Sequence, residues 1–235
     1  MKRLLLLASL CTLSFACFAG TRLRGSGHSI KEAREVAAFD AVEVASGIHA
    51  QVSIGPRKVE VEADDNVVPL VETRVEDGRL LIRFKPHTNV WGDADVNVVV
   101  QAPSIRGLEA SGGSRIHAKL ARAETLDVQV SGGGEVKAED VDVSTLDAAG
   151  SGGATLELIG KTDKLKLEMS GGTRLKGARL SARSVRIDGS GGCTARFQAS
   201  ELVKGELSGG CDVHVQGKGS SRVSTSGGSS VDWED

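Results

Sequence analysis

The tripeptide Ser-Gly-Gly recurs seven times between residue 106 and the C-terminus. Its copies begin at Ser111, Ser131, Ser151, Ser170, Ser190, Ser208 and Ser226, at intervals of 18 to 20 residues. A nearly constant period of this length is typical of proteins built from stacked structural repeats. The repeat therefore limits this part of the chain to a solenoid, in which each copy forms one turn.

Apolar and polar residues alternate on both sides of each tripeptide. Before Ser170, for example, Leu165, Leu167 and Met169 alternate with Lys166 and Glu168. This period of two predicts a half-buried β-strand. After the glycine pair the alternation resumes, and its first apolar position is held by Ile116, Val136, Leu156, Leu175, Ala195, Val213 and Val231.

Each repeat is thus predicted to be a strand, a Ser-Gly-Gly corner, a second strand and a variable return that can add a third short strand. Stacking such turns about 4.8 Å apart gives a rise of roughly 34 Å for seven turns. The fold class predicted is all-β, a right-handed β-solenoid (β-helix) of about seven turns of 18–20 residues, with the hand taken from the general preference of parallel crossovers. Because every corner repeats, its serine and glycines are interpreted as structural and not as an anion-binding nest.

Residues 1–19 have the features of a secretory signal peptide. Lys2 and Arg3 precede an apolar run from Leu4 to Phe18, and Ala19 ends the segment with a small residue. Cleavage after Ala19 predicts a periplasmic protein. The alternative is acylation of Cys17, which predicts a membrane-anchored lipoprotein or a cell-surface location. Residues 20–35 are predicted to be a flexible leader.

Residues 36–105 are predicted to be a β-rich N-terminal cap continuous with the solenoid repeats of residues 106–235. Strands at Phe39–Val44 and Ile48–Ile54 are separated by Ser-Gly and are interpreted as a degenerate first repeat. A short helix is predicted over Val67–Arg74, with Pro69 in its first turn. Asp77-Gly78 predicts a hairpin, and residues 87–93, which include a tryptophan, are predicted to be a loop.

The order of these parts resembles a known family. The opening Phe39-Asp40-Ala41-Val42, the following Val44–Ile48, a strand over Val59–Ala63 and the segment Asp77–Ile82 precede the serial Ser-Gly-Gly corners. Together they resemble the head GIN domain family over residues 36–235. The resemblance implies an exported bacterial protein with a β-helix-like fold, of the kind named as putative auto-transporter adhesins. It brings no catalytic motif.

Composition excludes some classes of partner. The chain has 29 basic and 31 acidic residues, interspersed, for a net charge of −2, so no basic stripe indicates nucleic acid binding. Aromatic residues make up 3% of the chain and tyrosine is absent. This scarcity argues against carbohydrate binding, where stacking platforms would be expected, and against a rich protein-interaction face.

Two cysteines lie beyond the signal segment. Cys193 and Cys211 occupy the same place in successive repeats, directly after the glycine pair. Equivalent residues of stacked strands lie at a distance that a disulfide can span, and an oxidising periplasm would permit one. The other interpretation, two buried thiols in a ladder of small residues, fits the sequence equally well.

An outward row of carboxylates suggests one catalytic alternative. Glu168, Asp188 and Glu206 hold the same position in three consecutive repeats. Clustered carboxylates of this kind would suit a carbohydrate-active β-helix enzyme or a bound cation. The favoured interpretation is a solvated face of ion pairs, because the neighbouring outward row holds Lys166, Arg186 and Lys204.

No metal site or cofactor is predicted. His117 and His214 share an outward row but lie five turns apart, too far to share an ion. The remaining histidines lack a carboxylate or cysteine at ligand spacing, and the calcium-binding nonapeptide is absent. No serine–histidine–aspartate arrangement can be placed either.

The sequence therefore predicts an exported, non-catalytic envelope protein that acts as an adhesin-like binding or structural module, with an unidentified envelope or surface partner. The alternatives are the carboxylate enzyme and a self-assembling scaffold. Trp233 is predicted to cover the end of the core, and Asp232, Glu234 and Asp235 to repel a second copy. A monomer is the expected state.

Overall fold

A computed structural model describes residues 21–91 and 95–234 of the chain. The signal-peptide prediction for residues 1–19 and the alternative anchor at Cys17 lie outside the described residues. Within these residues the only helical segment is a 3₁₀ turn at Val68–Leu70, and the chain is otherwise a series of strands. No helix among them is long and apolar enough to cross a membrane.

Residues 21–91 and 95–234 contain nineteen strands. The first nine are β1 (Thr21–Arg24), β2 (Ser29–Ala33), β3 (Ala41–Val44), β4 (His49–Ile54), β5 (Lys58–Asp64), β6 (Val71–Glu76), β7 (Arg79–Phe84), β8 (Thr88–Trp91) and β9 (Asn97–Ala102). The other ten are β10 (Gly107–Ala110), β11 (Arg115–Lys119), β12 (Ala123–Val130), β13 (Glu135–Gly150), β14 (Thr155–Gly171), β15 (Arg174–Gly191), β16 (Thr194–Gly209), β17 (Asp212–Gln216), β18 (Ser220–Thr225) and β19 (Ser230–Glu234).

Strands β10–β19 stack in parallel, in the register that the repeat predicts. From the corner at Ser131 to the corner at Ser208, the residue five before the serine belongs to one continuous buried ladder, in which Leu146 pairs with Leu126 below it and with Leu165 above it. Val185 and Val203 continue the same ladder. The predicted β-solenoid is therefore confirmed, with about six turns.

The variable returns are ordered in the middle of the stack. Strands β13–β16 continue from one face of the solenoid through the return to the next face. Val141 and Leu180, apolar residues in two of the returns, are buried, and Gly160 pairs with both. The returns thus close a third side around the core.

The N-terminal part contains the predicted degenerate repeat. Strands β3 and β4 pair in parallel with β10 and β11, so that Ala41 lies beside Gly107 and Ala50 beside Ile116. The order of stacking, however, departs from the order of the chain. Strands β7 and β9 come later in sequence yet pair with the outer edges of β3 and β4.

Antiparallel strands cover this end of the solenoid. β6 pairs with β7, β5 pairs with β9, and β2 pairs with β5. Because these strands use hydrogen-bonding groups that the parallel stack would leave unpaired, they form a cap. The hairpin at Asp77-Gly78 is confirmed, with φ angles of 48° and 77° that suit a tight turn between twisted strands.

The helix predicted over Val67–Arg74 is wrong beyond one turn. Pro69 lies at the start of a 3₁₀ turn of three residues, and the chain then extends into β6. The preceding Asp64 and Asp65 do not cap a helix. Their carboxylates accept hydrogen bonds from Gly27 N at 3.0 Å and from Ser26 Oγ at 2.6 Å.

Two segments predicted without regular structure contain strands. The leader predicted to be flexible over residues 20–35 includes β1 and β2, and the loop predicted for residues 87–93 begins with β8. β1 and β8 pair with each other in parallel. Side chains on Asp64, Asp65 and Asn66 hold the turn between β1 and β2, and this long-range contact orders a polar segment.

Cys193 and Cys211 are joined in a disulfide between adjacent turns, with their Cα atoms 4.5 Å apart. Both residues are fully buried. Gly189 makes room for the bridge, since a Cβ at that position would lie 3.0 Å from the Cys193 sulfur and 3.2 Å from the Cys211 sulfur. In the flanking turns the position of Gly189 is held by the larger residues Met169 and Leu207.

Removing this bridge is expected to lower stability substantially. The sequence separation is 18 residues, and a closed loop of that length restricts the unfolded chain by about 3 kcal/mol. For a chain of this size we expect Tm of C193A/C211A to fall by roughly 6–12 °C. Thermal unfolding of both proteins, with wild type also measured after reduction, checks this. An unchanged Tm, or two free thiols in the mass of the unreduced wild type, would contradict it.

The far end of the solenoid is less well buried. Val231 and Trp233 of β19 are half-buried and pack against the core. The indole Nε1 of Trp233 donates a hydrogen bond to the carbonyl oxygen of Gly217. Trp233 therefore covers part of the core end, as predicted.

Candidate binding surfaces

A long groove runs beside the corners, and we call it the serine groove. It is lined by the corner residues Ser131, Ser151, Ser170, Ser190, Ser208 and Ser226. Every one of the seven predicted corners contains a glycine with positive φ directly after its serine. Gly112 and Gly132, with φ of 59° and 56°, are examples. This conformation turns the chain sharply and leaves the serine side chains in a row at the edge.

The serine hydroxyls make few bonds within the groove. Those of Ser208 and Ser226 donate to backbone oxygens of the neighbouring turn, each at 3.5 Å, which is the long limit of a hydrogen bond. Ser190 is exposed and pairs in register with both Ser170 and Ser208. The row therefore keeps hydrogen-bonding capacity for a ligand.

The structure brings together the three carboxylates singled out from the sequence. Glu168 pairs in register with Asp188, and Asp188 pairs with Glu206. All three line the serine groove on adjacent strands. Their side chains form a short acidic row parallel to the solenoid axis.

The predicted ion-pair face is confirmed for two of these three turns. Lys166 Nζ lies 2.7 Å from Glu168, and Arg186 Nε lies 2.9 Å from Asp188. The hydrogen bond to Glu168 raises the pKa of Lys166. Glu206 forms no ion pair with any described residue. The acidic row is thus mostly neutralised by its own strands, at little gain in stability.

Glu109, at one end of the serine groove, was not singled out by sequence reasoning. Burial raises the pKa of its carboxyl, the adjacent Glu43 raises it further, and Arg79, whose Nη1 lies 2.7 Å away, opposes both. Because its pKa in the folded state is raised above the ordinary 4.5, ionisation of Glu109 reduces stability as the pH rises through the range just above that value. Only the stacking of β3 against β10 reveals this pair of acids.

A second concave surface lies on a different face, and we call it the basic cleft. Its volume is about 430 Å³, and it is lined by Arg174, Lys176, Arg179, Arg196 and His214, together with Glu157, Ile159, Leu175, Ala178 and Thr194. Lys176 and Arg196 are register neighbours on β15 and β16. Four permanent cations thus surround a space with one carboxylate.

The structure also groups three potential metal ligands that sequence reasoning did not connect. Asp212 Oδ2 lies 3.1 Å from His214 Nε2, and Asp232 Oδ2 lies 3.7 Å from His214 Nδ1. The sequence does contain a signal for this group, because Asp232 follows His214 in the outward row and Asp212 precedes His214 by two residues. Each imidazole nitrogen of His214 has a carboxylate partner, so hydrogen bonds alone account for this cluster without a metal ion.

His117, the other histidine of that row, has a different partner. Its Nε2 lies 3.2 Å from Glu139 Oε2, and Lys137 Nζ lies 2.8 Å from the other oxygen of the same carboxylate. The hydrogen bond from Lys137, followed by the one from His117, lowers the pKa of Glu139 from 4.5 to about 2. This cluster lies between β11 and β13.

The lowered pKa of Glu139 predicts a pH dependence. Its contribution to stability is complete above the unfolded pKa of 4.5 and is lost as the pH falls towards about 2. We therefore expect wild type to have a higher Tm than E139Q above pH 5, and the difference to shrink towards pH 2. Thermal unfolding from pH 2 to 7 measures it. A constant difference across this range would contradict the assignment.

The fold and its repeats define the class of this protein, an all-β parallel solenoid closed at one end by an antiparallel cap. The chain belongs to the head GIN domain family. The family model described as "Putative auto-transporter adhesin, head GIN domain" matches residues 38–219. The resemblance noted from the sequence is thereby confirmed.

Several solved structures share the fold, and three of them are described here in order of TM-score. A putative adhesin from Bacteroides fragilis has a TM-score of 0.84 and 18% identity, covering 90% of this chain and 99% of its own. A putative lipid binding protein from Parabacteroides distasonis has a TM-score of 0.75 and 15% identity, covering 92% and 100%. A putative adhesin from Parabacteroides merdae has a TM-score of 0.72 and 16% identity, covering 91% and 99%. Identities this low establish the fold alone.

No curated protein matches this chain in a comparison of sequences. The family and the solved structures therefore define its class.

Proposed function

We propose that this protein is an exported, non-catalytic binding module of the cell envelope, and that its ligand is an extended, hydroxyl-rich polymer lying in the serine groove. The signal-like N-terminus supports export, and the adhesin description of the family supports a binding role. The alternative acylation at Cys17 would place the same module on a membrane. The groove is independent of which form is exported.

One observation carries the proposal. The serine groove, with a volume of about 790 Å³, crosses six successive turns without interruption. At a strand spacing of about 4.8 Å the six serines span roughly 24 Å along the solenoid axis. A surface that presents the same groups at every turn is matched best by a ligand that is itself a linear repeat.

The chemistry of the lining favours a polar ligand. Serine hydroxyls donate and accept hydrogen bonds, while Glu168, Asp188 and Glu206 accept them. Hydroxyl groups of a polysaccharide would satisfy both. No aromatic side chain is among the residues that line the groove. Recognition therefore depends on hydrogen bonds without ring stacking, and we expect weak affinity at each site.

Blocking the groove tests this proposal. We expect S190W to reduce binding roughly tenfold or more, because an indole at an exposed central corner would occupy the space of the ligand. S200W, at an exposed serine outside the groove, is the matched control. Binding to dextran, xylan, chitin oligosaccharides and isolated peptidoglycan is measured for both variants and wild type. Binding to none of them, or equal loss in both variants, would refute the proposal.

The carboxylate row favours one second candidate, a glycan-cleaving enzyme. Glu168, Asp188 and Glu206 line the groove in three consecutive turns. Glycoside hydrolases use two neighbouring carboxyl groups, and this row contains such neighbours. Lys166 and Arg186 hold two of them in ion pairs, which favours the non-catalytic role. New reducing ends released from any bound polysaccharide by wild type, and abolished in D188N, would establish the enzyme instead.

Self-assembly through the open end is the remaining alternative. β19 lies at the edge of the stack, and its Asp232 and Glu234 add negative charge there. A second copy stacked on this edge would meet the same charges or the antiparallel cap. We therefore expect a monomer, which sedimentation equilibrium measures directly.

A further inference from the structure

We propose that the basic cleft is a second, separate binding site, specific for a phosphate group carried by a small molecule or a lipid headgroup. The cleft lies on the face formed by β11, β17, β19 and the first halves of β13–β16, away from the serine groove. The inference stands independently of the ligand proposed for that groove.

Three of the four permanent cations of the cleft lack a counter-ion among the described residues. Lys176 and Arg196 occupy the same outward row on adjacent strands, and Arg174 lies on the same face two residues before Lys176. None of these three side chains forms a hydrogen bond or ion pair with a described residue. All three are exposed, so a ligand can reach them.

Lys176 and Arg196 belong to an outward row that also contains Lys137 and Glu157, and in those lower turns the charges of the row are neutralised. Lys137 lies 2.8 Å from Glu139 and 3.8 Å from Glu157, so two carboxylates surround one cation there. Above Glu157 the row continues with Lys176 and then Arg196, two cations in succession. Like charges at neighbouring positions of a sheet are unfavourable. A bound anion would remove that repulsion.

The one carboxylate inside the cleft is already compensated. Glu157 lies 3.7 Å from Arg179 and 3.8 Å from Lys137. At the other end of the cleft, His214 is held between Asp212 and Asp232, which restricts an anion to the region around Lys176. The half-buried Ile159 and the exposed Ala178 supply apolar surface beside the cations.

A phosphate matches this arrangement better than a single carboxylate does. A phosphate monoester carries about two negative charges and three acceptor oxygens at neutral pH. Guanidinium groups bind such oxygens in pairs, and a lysine adds a point charge. Arg174, two residues before Lys176 on β15, and Arg196, beside Lys176 on β16, supply the guanidinium groups, and Lys176 supplies the point charge. The volume of about 430 Å³ also exceeds that of a bare phosphate and suits a phosphate with a group attached.

Charge reversal at Lys176 tests the inference. Calorimetric titration with inorganic pyrophosphate at low salt should detect binding to wild type, weakened roughly tenfold or more in K176E, since charge-assisted contacts of this kind contribute at least that much. K164E is the matched control, because Lys164 is an exposed lysine of β14 outside the cleft and the change in net charge is identical. K176Q removes the charge without reversing it and should weaken binding in the same direction.

Vesicles separate the two sources of phosphate. Co-sedimentation with phosphatidylcholine vesicles that contain phosphatidic acid, absent with phosphatidylcholine alone and lost in K176E, would support a lipid headgroup. Pyrophosphate binding without vesicle binding would support a soluble phosphate compound. Failure of wild type to bind pyrophosphate, equal effects of K176E and K164E, or tighter binding of a uronic-acid polymer than of pyrophosphate would overturn the inference.

Discussion

Replacing Gly205 by alanine is expected to destabilise the protein by more than about 3 kcal/mol, because two penalties combine at this position. Gly205 has φ of 146°, a backbone conformation that residues with a side chain rarely adopt. A Cβ there would lie 1.7 Å from the carbonyl oxygen of Ile187, on the strand with which Gly205 pairs. That oxygen belongs to the backbone, so β15 and β16 would have to separate locally.

Gly192 provides the matched control. It lies in the corner of an adjacent turn, and a Cβ built on it meets nothing within 4 Å. We expect G192A to change stability by no more than about 0.5 kcal/mol. Urea unfolding of G205A, G192A and wild type measures both effects. Equal stability of the two variants would show that β15 and β16 are not held together as described.

Replacing Leu167 by alanine is expected to cost about 2–5 kcal/mol. Leu167 is fully buried in the centre of the stack, between Ala148 on β13 and Ile187 on β15. A solenoid turn contacts only its two neighbours, so a cavity here weakens both interfaces and no distant part of the core can compensate. The same substitution at the end of the stack would affect one interface.

Leu120 is the control for this substitution. It is half-buried in a return, so L120A removes the same atoms from a position already in partial contact with water. We expect L120A to cost about 1 kcal/mol. Urea unfolding of L167A, L120A and wild type gives the free energy of unfolding of each protein, and the two losses relative to wild type are compared. A difference near zero would contradict the assignment of Leu167 to the central core.

The repeats could be predicted from the sequence because one residue pattern encodes both corner and strand. Alternation around Ser170 specifies which side chains face inward, and the glycines specify where the chain turns. Each repeat then needs only its neighbours, so local pattern and overall fold coincide. Gly205 is the exception to this inward apolar pattern, because it occupies the position that Leu167 and Ile187 hold in the turns below.

The N-terminal cap was harder to predict because its contacts are long-range. The position of β7 and β9 outside β3 and β4 reverses the order of the chain, and no local signal marks that choice. The helix expected at Val67–Arg74 followed helix-start signals, but β6 gains a full antiparallel partner in β7. Tertiary pairing overrode the local preference.

The binding surfaces were predictable only where the register was known. Glu168, Asp188 and Glu206 were found because they repeat at the same offset from three corners. The basic cleft was missed, although Lys176 and Arg196 follow each other in an outward row. Its significance depends on which cations lack a counter-ion and on the volume between them, and both follow from side-chain geometry.

The central claim is that ligands bind along the serine groove without being cleaved. Amide chemical-shift mapping by NMR, with isotope-labelled protein and the polysaccharide that it binds, tests this claim directly. We expect shifts to concentrate at the corner glycines of several successive turns, such as Gly171, Gly191 and Gly209, while the spectrum of the polysaccharide shows no new chain ends. Shifts confined to the face around Lys176, or the appearance of cleaved polysaccharide, would contradict it.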